Sequence, residues 1–293
     1  MTISVSVCVP AYNEEDNIAN LLFSLTNQIG GNFKINQIVV VSSGSTDRTA
    51  DISDDLSRKD SRICVIKQDK REGKVSAINE FLRVASSDII ILESADTIPG
   101  KHTIEQLCLP LKNPRIGMVG AHPIPTNNEN SFMGYVSHLE WALHHRIAMR
   151  SPKCGELVAF RNVFRKIPNT AVDEAWIEYA ISSRNYQILY APEAIVYNRG
   201  PETISDFVKQ RRRIACGHLD LKRRTRFNVS SSTLFTVLPA ILEVLPKKKP
   251  KEFVFFASAL VLEAFSRLLG YFDYYVKKDR HTVWEVSKST KSL

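Results

Sequence analysis

Ile89-Ile90-Ile91-Leu92-Glu93-Ser94-Ala95-Asp96-Thr97-Ile98-Pro99 is the stretch around which the chain reads. Residues 89–92 are uniformly apolar and mostly β-branched, which suits a strand buried on both faces of a parallel sheet. The run stops at Glu93-Ser94-Ala95-Asp96. A carboxylate just past the C-terminal end of a buried strand sits where open α/β sheets bind ligands. Pro99-Gly100 then turns the chain away. Asp96 is therefore expected on the rim of a crevice, able to hold Mg²⁺ or Mn²⁺ against a diphosphate. Such hard cations take oxygen ligands, often one or two carboxylates with phosphate and water completing the shell. Capping of a loop is the competing reading of Asp96.

Working outward, the same sequence of strand, polar loop and helix repeats. Residues 4–9 form a first buried strand ending at Pro10, and Ala11-Tyr12-Asn13-Glu14-Glu15 follows. Ile18, Leu21, Leu22 and Leu25 share one face of the next helix. Residues 37–41 and 63–66 are two more strands. The loop Ser42-Ser43-Gly44-Ser45-Thr46-Asp47 opens one helix, and Arg71-Glu72-Gly73-Lys74 opens another. This alternation implies a doubly wound, mostly parallel sheet with helices on both faces. Further on, helices are expected at 104–111 and 133–146, strands at 116–121 and 157–160, and a mobile loop at 123–130. Two short strands, 188–190 and 194–197, should flank Pro192. Thr203-Ile204-Ser205-Asp206 starts a basic helix. No internal repeat or low-complexity linker interrupts the chain.

The composition is that of a globular protein: 293 residues, 44% hydrophobic and 24% charged. The net charge of +8 suits a phosphorylated substrate, an anionic membrane or nucleic acid. The basic residues adjoin apolar segments without the spaced aromatic platforms of single-strand binders, so nucleic acid is not expected. The first strand begins almost at the N-terminus, so no signal peptide is expected. Five scattered cysteines form no CxxC or Cys/His cluster, which argues against zinc and for a reduced compartment.

Four loops fall at strand ends on one rim: residues 10–15, 42–47, 71–74 and 94–96. Backbone N–H groups and helix N-termini there suit a nucleotide diphosphate, with Arg71 and Lys74 adding positive charge. Neither GxGxxG nor GxxxxGK[ST] is present, which disfavours NAD and P-loop chemistry. Any one loop alone reads as a solvated turn; their shared rim gives them meaning. Val172-Asp173-Glu174-Ala175-Trp176 places two carboxylates ahead of a helical stretch at 176–183. They either cap that helix or supply a general base for an acceptor hydroxyl. In Gln210-Arg211-Arg212-Arg213, consecutive arginines cannot share one helical face. One or two suit a diphosphate or acceptor, and the rest solvent or a membrane surface.

Taken together these segments resemble inverting family 2 glycosyltransferases of the GT-A fold. The resemblance spans about residues 4–221: ValSerValCysValProAlaTyrAsnGluGlu, SerGlySerThrAsp, GlyLysValSerAlaIleAsn, SerAlaAsp for Asp-x-Asp, CysGlyGluLeuValAlaPheArg (Cys154–Arg161) for the family's acceptor-side segment, AspGlu before a helix, and GlnArgArgArgIle for Gln-x-x-Arg-Trp. Each motif is short, but the ordered set is specific. The resemblance implies a nucleoside pocket lined by Pro10, Ala11, Tyr12, Glu14 and Ser43. It implies donor contacts from Lys74, Ser94, Ala95, Gln210 and Arg213, and a metal on Asp96. Glu174 fills the usual base position, with Asp173 as its rival because the usual Glu-Asp order is inverted. Ser42 stands where the family usually has an acidic residue, Ser94 replaces the first Asp of Asp-x-Asp, and Ile214 replaces a Trp. These departures bear on the nucleotide and on processivity.

The reaction implied is inverting transfer from a nucleotide-diphospho-sugar to a hydroxyl or phosphate acceptor. A catalytically inactive nucleotide-sugar-binding protein of the same fold and a metal-dependent nucleotidyltransferase are the rivals. The latter usually opens with a Gly- and Lys/Arg-rich loop, unlike ProAlaTyrAsnGluGlu. Residues 1–225 are expected to form the catalytic domain, and residues 226–293 a helical, membrane-associating region. In the latter, basic clusters (222–226, 247–251, 277–280) alternate with apolar segments (233–245, 253–276). Glu263, Ser266, Arg267, Gly270 and Asp273 recur on one face of an otherwise apolar helix. Residues 233–245 are too short to span a bilayer, and a hairpin would separate the basic clusters against the positive-inside rule. The expectation is a cytoplasmic protein, peripheral on the inner face of an anionic membrane, with a lipid-linked acceptor. Packing on the catalytic domain or a homo-oligomer interface is the alternative use of these helices.

Overall fold

In the computed structural model, which describes residues 2–246, 250–283 and 290, the first four strands are parallel. They are β1 (Ile3–Ala11), β2 (Phe33–Ser43), β3 (Ile63–Gln68) and β4 (Ile89–Leu92), in the spatial order β3-β2-β1-β4. Helices α1 (Ile18–Thr26), α2 (Thr49–Ser57) and α3 (Lys74–Val84) make the crossovers. Why β4 reads as an unbroken apolar run is visible in its packing. Ile89 and Ile91 join Val5, Val7 and Val9 of β1 against α1, whereas Ile90 and Leu92 join Cys8 against α3. Both faces are covered, so every position must be apolar. Each such side chain contributes roughly 1.5–3 kcal/mol by leaving water.

The rest of the sheet is mixed. Thr97–Pro99 (β5) is followed by α4 (Thr103–Leu111), β6 (Ile116–Pro125), α5 (Phe132–Ala148), β7 (Val158–Arg161), α6 (Asp173–Ser182) and β8 (Gln187–Asn198). The full order is β3-β2-β1-β4-β7-β6-β8-β5, with β7 and β5 antiparallel to their neighbours. Three local expectations change. Residues 97–99 pair with β8 instead of simply turning away. The loop expected at 123–130 loses its first part, because residues 123–125 pair with Val196, Tyr197 and Asn198. The two late strands are one: the register with β6 jumps between Gly120 and His122, and Pro192 lies in the skipped stretch. A proline can neither donate to a ladder nor sit comfortably in a central strand, so the irregularity absorbs it.

Helix α7 (Ile204–Thr225) starts as expected, with Thr203 Oγ1 accepting from the Asp206 N–H at 3.1 Å. Helices α8 (Leu234–Val244) and α9 (Pro250–Phe272) follow, α9 being continued by a π-turn at Asp273–Lys277. Near its start α9 shares a core with α5 and α7: Phe256 and Ala259 lie with Met133, Val136, Leu139 and Phe207. Further along, its polar stripe is the packed face. Ser266 and Asp273 are fully buried, and a side chain at Gly270 would come within 2.6 Å of the Arg212 carbonyl. The apolar stripe points outward, with Val261, Phe265, Leu268, Phe272 and Tyr275 exposed, and Phe235 of α8 is 95% exposed. Residues Pro250–Lys277 are long and apolar enough to cross a membrane by length and composition.

Candidate active site

The four loops expected on one rim do converge there, stitched to one another. The Asn13 N–H donates to Ser45 Oγ, Thr46 N–H to Asn13 Oδ1 at 2.8 Å, and Glu15 N–H to Asp47 Oδ2. Burial pushes the Asp47 carboxyl up, but hydrogen bonds from Thr49 and Glu15 outweigh it and hold it below the ordinary range. Gly44, at φ +65°, lies so close to the third loop that a Cβ would sit 2.5 Å from the Arg71 nitrogen. Only glycine takes that conformation and that approach cheaply. The Arg71 guanidinium lies over the Tyr12 ring, 4.2 Å from its centroid, forming one wall of the crevice.

One cavity of about 830 Å³ runs from these loops to the helices behind them. Pro10, Ala11, Tyr12, Glu14, Ser43, Lys74, Ser94, Ala95, Asp96, Glu174, Gln210 and Arg213 all line it. Asp173 does not: it is 1% exposed and lies beneath Glu174 in the first turn of α6. The helix therefore begins three residues earlier than the apolar pattern suggested. Ser42, the position lacking the family's acid, is also buried and donates to Ser45 Oγ at 2.9 Å.

Lys74 organises the charges. Its Nζ lies 2.8 Å from Glu174 Oε1 and 2.9 Å from Asp173 Oδ2. The contact with Asp173 lacks hydrogen-bond geometry, whereas that with Glu174 has it. Burial opposes the ammonium, but the two carboxylates outweigh it and raise the Lys74 pKa. Glu174 is pushed up by burial and pulled further down by Lys74, so it stays ionised below its ordinary range. Asp173 is raised to about 6 by burial and by Glu174. Burial draws Arg213 down to about 10 against the pull of Asp173, Glu174 and Glu156, and its guanidinium donates to the Ala171 carbonyl at 2.7 Å.

The other two arginines depart from expectation: neither Arg211 nor Arg212 is spent on solvent or a membrane. Arg211 makes a bidentate pair with Glu263 of α9 at 2.6 and 2.7 Å and reaches Glu140 of α5 at 3.2 Å. Arg212 pairs with Asp273, which also binds His281 at 2.9 Å. The chain then crosses the start of α3, with the Thr282 carbonyl 3.2 Å from where a Cβ on Gly73 (φ +89°) would be.

Sequence reasoning missed several cavity residues. Glu156 sits in the left-handed region at φ 59° and accepts from Asn198 Nδ2 at 3.2 Å. Burial, then Asp96 and Glu174, push its carboxyl to about 7. Glu178 accepts from the Cys154 N–H at 2.7 Å, and burial raises it to about 7. Lys153 is lowered to about 8 by burial and by Arg211. Glu93 is not a cavity residue but lies wholly buried, next in sequence to Ser94, which is one; its Oε1 takes the Thr97 hydroxyl, its Oε2 has no hydrogen-bond partner, and burial holds it well above the carboxylate range. Glu156 lay inside the CysGlyGluLeuValAlaPheArg segment that the resemblance singled out, but nothing in that segment marked the glutamate side chain itself.

Asp96 is half buried at the end of β4. Among the described residues no three His, Cys, Asp or Glu side chains are grouped as a metal site. A cation there must take most of its shell from substrate and water. Glu93 and Glu156 lie within electrostatic reach of Asp96, and acidic surroundings of this kind fit a hard divalent ion.

Comparison with known proteins gives the family and the fold. Residues 6–175 match the family model described as "Glycosyl transferase family 2". The chain is 25% identical over 253 residues to poly-beta-1,6-N-acetyl-D-glucosamine synthase of Staphylococcus aureus, covering 82% of this chain and 60% of that protein. It is 26% identical over 230 residues to the Staphylococcus epidermidis enzyme of that name, covering 73% of this chain and 54% of that one. The chain thus spans little more than half the length of these relatives. Among solved structures, mannosyltransferase PcManGT from Pyrobaculum calidifontis, in complex with GDP-Man and Mn²⁺, superposes with a TM-score of 0.63 at 20% identity, covering 94% of this chain and 82% of that one. Glucosyl-3-phosphoglycerate synthase from Mycobacterium tuberculosis, with Mn²⁺, UDP and phosphoglyceric acid, gives 0.54 at 20% identity, covering 74% of this chain and 78% of that one. The fold is therefore GT-A-like. With the family model covering more than half the chain, this protein belongs to glycosyl transferase family 2.

Proposed function

We propose that residues 1–225 transfer a sugar, with inversion, from a nucleotide-diphospho-sugar to a hydroxyl or phosphate on a lipid-linked acceptor. The observation that carries the reading is the Lys74–Glu174 pair facing the same cavity as Asp96, Arg213 and the stitched nucleotide loops. Glu174 is the base: it is ionised, lines the cavity and is held in place by Lys74. It takes the acceptor proton as the acceptor oxygen attacks the anomeric carbon opposite the diphosphate. Lys74 and Arg213 stabilise the charge that develops on the departing diphosphate, an effect strongest in a water-poor site. Asp96 would hold Mg²⁺ or Mn²⁺, which as a Lewis acid would offset part of that charge. Neighbours of the same fold in complex with Mn²⁺ or with Mg²⁺ and UDP support the metal.

Residues 226–293 form the membrane-associating part of this reading. The support is the reversed burial of α9, polar stripe inward and apolar stripe outward, together with exposed Phe235, Leu238 and Leu242 on α8. Lys222, Arg223, Lys251, Lys277 and Lys278 flank these faces, matching an anionic leaflet. The basic residues at 247–249 lie outside the described residues. The helix lies on the membrane instead of crossing it, because crossing would break the pairs of Glu263 with Arg211 and of Asp273 with Arg212. On this reading the protein is cytoplasmic and peripheral on the inner face.

The test has two arms. Nucleoside diphosphate release from UDP- and GDP-sugars is expected with Mn²⁺ or Mg²⁺ and not after chelation. Binding without release identifies an inactive sugar-nucleotide binder, and no binding refutes the donor reading. In flotation with anionic liposomes the full chain should rise and a truncation after Arg226 should not. A full chain that stays unbound at low salt refutes the membrane reading.

A further inference from the structure

From the left-handed backbone of Glu156, its hydrogen bond to Asn198 and the unpartnered oxygen of that asparagine, we infer that Glu156 and Asn198 form the clamp that reads the hydroxyls of the transferred sugar. The inference rests on the transferase reading above and adds to it a specificity-determining pair. Three observations place the pair. First, Glu156 lies within electrostatic reach of both Asp96 and Glu174, and all three line the one cavity. If Asp96 marks the diphosphate and Glu174 the acceptor proton, the sugar ring lies in the cavity that holds both, and Glu156 lines that cavity. Second, Glu156 holds φ at 59°, a region a non-glycine side chain enters at a cost. The neighbouring Gly155 could have borne that conformation more cheaply. Third, Asn198 is 5% exposed, lines the same cavity and gives its Nδ2 hydrogen to Glu156, while its Oδ1 is buried with no hydrogen-bond partner.

A buried amide oxygen left unmatched is costly, and a bound hydroxyl would satisfy it. The pair offers a complementary set. Asn198 Oδ1 accepts from a hydroxyl, and the free lone pairs of Glu156 accept from the same or an adjacent one. Such a set rejects a sugar that lacks the matching hydroxyl, because the buried oxygens are then unpartnered again.

Donors lacking one sugar hydroxyl at a time test the assignment. GDP-mannose, UDP-glucose and UDP-N-acetylglucosamine are first screened with Mn²⁺ to find the donor. Its monodeoxy analogues are then compared in the wild type, Glu156→Gln and Asn198→Ala. For one hydroxyl, deletion should lower kcat/KM about 10- to 100-fold in the wild type and less than about threefold in the variants. The Kd of the bare nucleoside diphosphate should stay within about twofold throughout. Glu156→Gly should lose the same discrimination yet melt at or above the wild type, since glycine relieves the positive φ. If hydroxyl deletion and side-chain substitution multiply independently at every position, the assignment is wrong. It is equally wrong if Glu156→Gly melts lower with discrimination intact, for then the role is structural. If none of the three donors binds, the donor reading itself fails, and the clamp with it.

Discussion

Replacing Lys74 with methionine removes the ammonium that Asp173 and Glu174 share at 2.9 and 2.8 Å and leaves a side chain of similar length. Two adjacent carboxylates, one buried and one partly so, then face each other with that partner gone. Breaking one half of a buried ion pair costs about 3–5 kcal/mol. The protein can limit the loss by protonating one carboxyl, at about 1.4 kcal/mol per pH unit above its pKa. The sign follows. In the wild type Lys74 is raised above its ordinary 10.5, so its contribution is present at all lower pH while its partners are ionised. Glu174 is lowered below 4.5, so its contribution is present above that value and lost as pH falls. In Lys74→Met both carboxyls rise above their unfolded values, so their stability is intact in acid and lost as pH climbs. The deficit should therefore be about 1 kcal/mol near pH 5 and about 3 kcal/mol near pH 8. At roughly 2–4 °C per kcal/mol, the melting temperature near pH 8 should fall by about 6–12 °C. Lys74→Met/Asp173→Asn should regain more than half of that, because only one carboxylate then needs a partner. Calorimetry at both pH values reads the outcome. A deficit independent of pH, or a double variant no more stable than the single one, would refute the idea that Lys74 holds two carboxylates together.

Glu174→Gln should leave the affinity for the nucleoside diphosphate within about threefold while turnover falls by about 10³ or more, and Asp173→Asn should be milder; titration calorimetry with turnover assays would expose the reverse ranking. Glu178→Gln should raise the melting temperature near pH 8 and leave it nearly unchanged near pH 4. The reason is that a carboxyl raised from 4.5 to about 7 gives its full stability only below the unfolded value and loses it as pH rises through the folded one. A pH-independent effect would show that it is not the buried charge that matters. Gly270→Leu should open the α7–α9 contact, where even a Cβ meets the Arg212 carbonyl at 2.6 Å, at a cost of about 1–3 kcal/mol or by release of α9. Limited proteolysis between α8 and α9 should then accelerate, and an unchanged pattern would contradict the close packing.

Much of the sheet-forming part of the chain was legible because its signals are local. The double burial of β4 leaves an unbroken apolar run, the one-sided burial of α1 leaves Ile18, Leu21, Leu22 and Leu25, and Thr203 caps α7 as its position suggests. What escaped was set by distance in sequence. The joining of residues 187–198 into one strand depends on β6, some seventy residues earlier, absorbing Pro192 through a register jump. The choice between Asp173 and Glu174 depends on which one the first turn of α6 turns toward the cavity, and neighbouring residues of a helix point about 100° apart. Glu156 gains its environment from Asp96, Glu174 and Asn198, none of which is near it in the chain. Periodicity reports burial; it does not report which distant charge a residue will meet.

Three consecutive arginines on α7 show what the fold makes of a charge run. With about 100° between successive side chains, they divide among three surroundings. Arg211 is bound to Glu263 and Glu140, Arg212 to Asp273, and Arg213 faces the Ala171 carbonyl and the carboxylates of α6. One turn of one helix thus grips α9 with two residues and serves the site with the third. The polar stripe of α9 is spent on that grip, and this is why its apolar stripe is left outward. A solvated amphipathic helix would bury the opposite face. The inversion follows from the pairing of Arg211 with Glu263, of Arg212 with Asp273, and from the glycine that lets the backbones meet. The helix that presents this outer apolar face is therefore held by the same turn of α7 that carries Arg213, the residue beside Asp173 and Glu174.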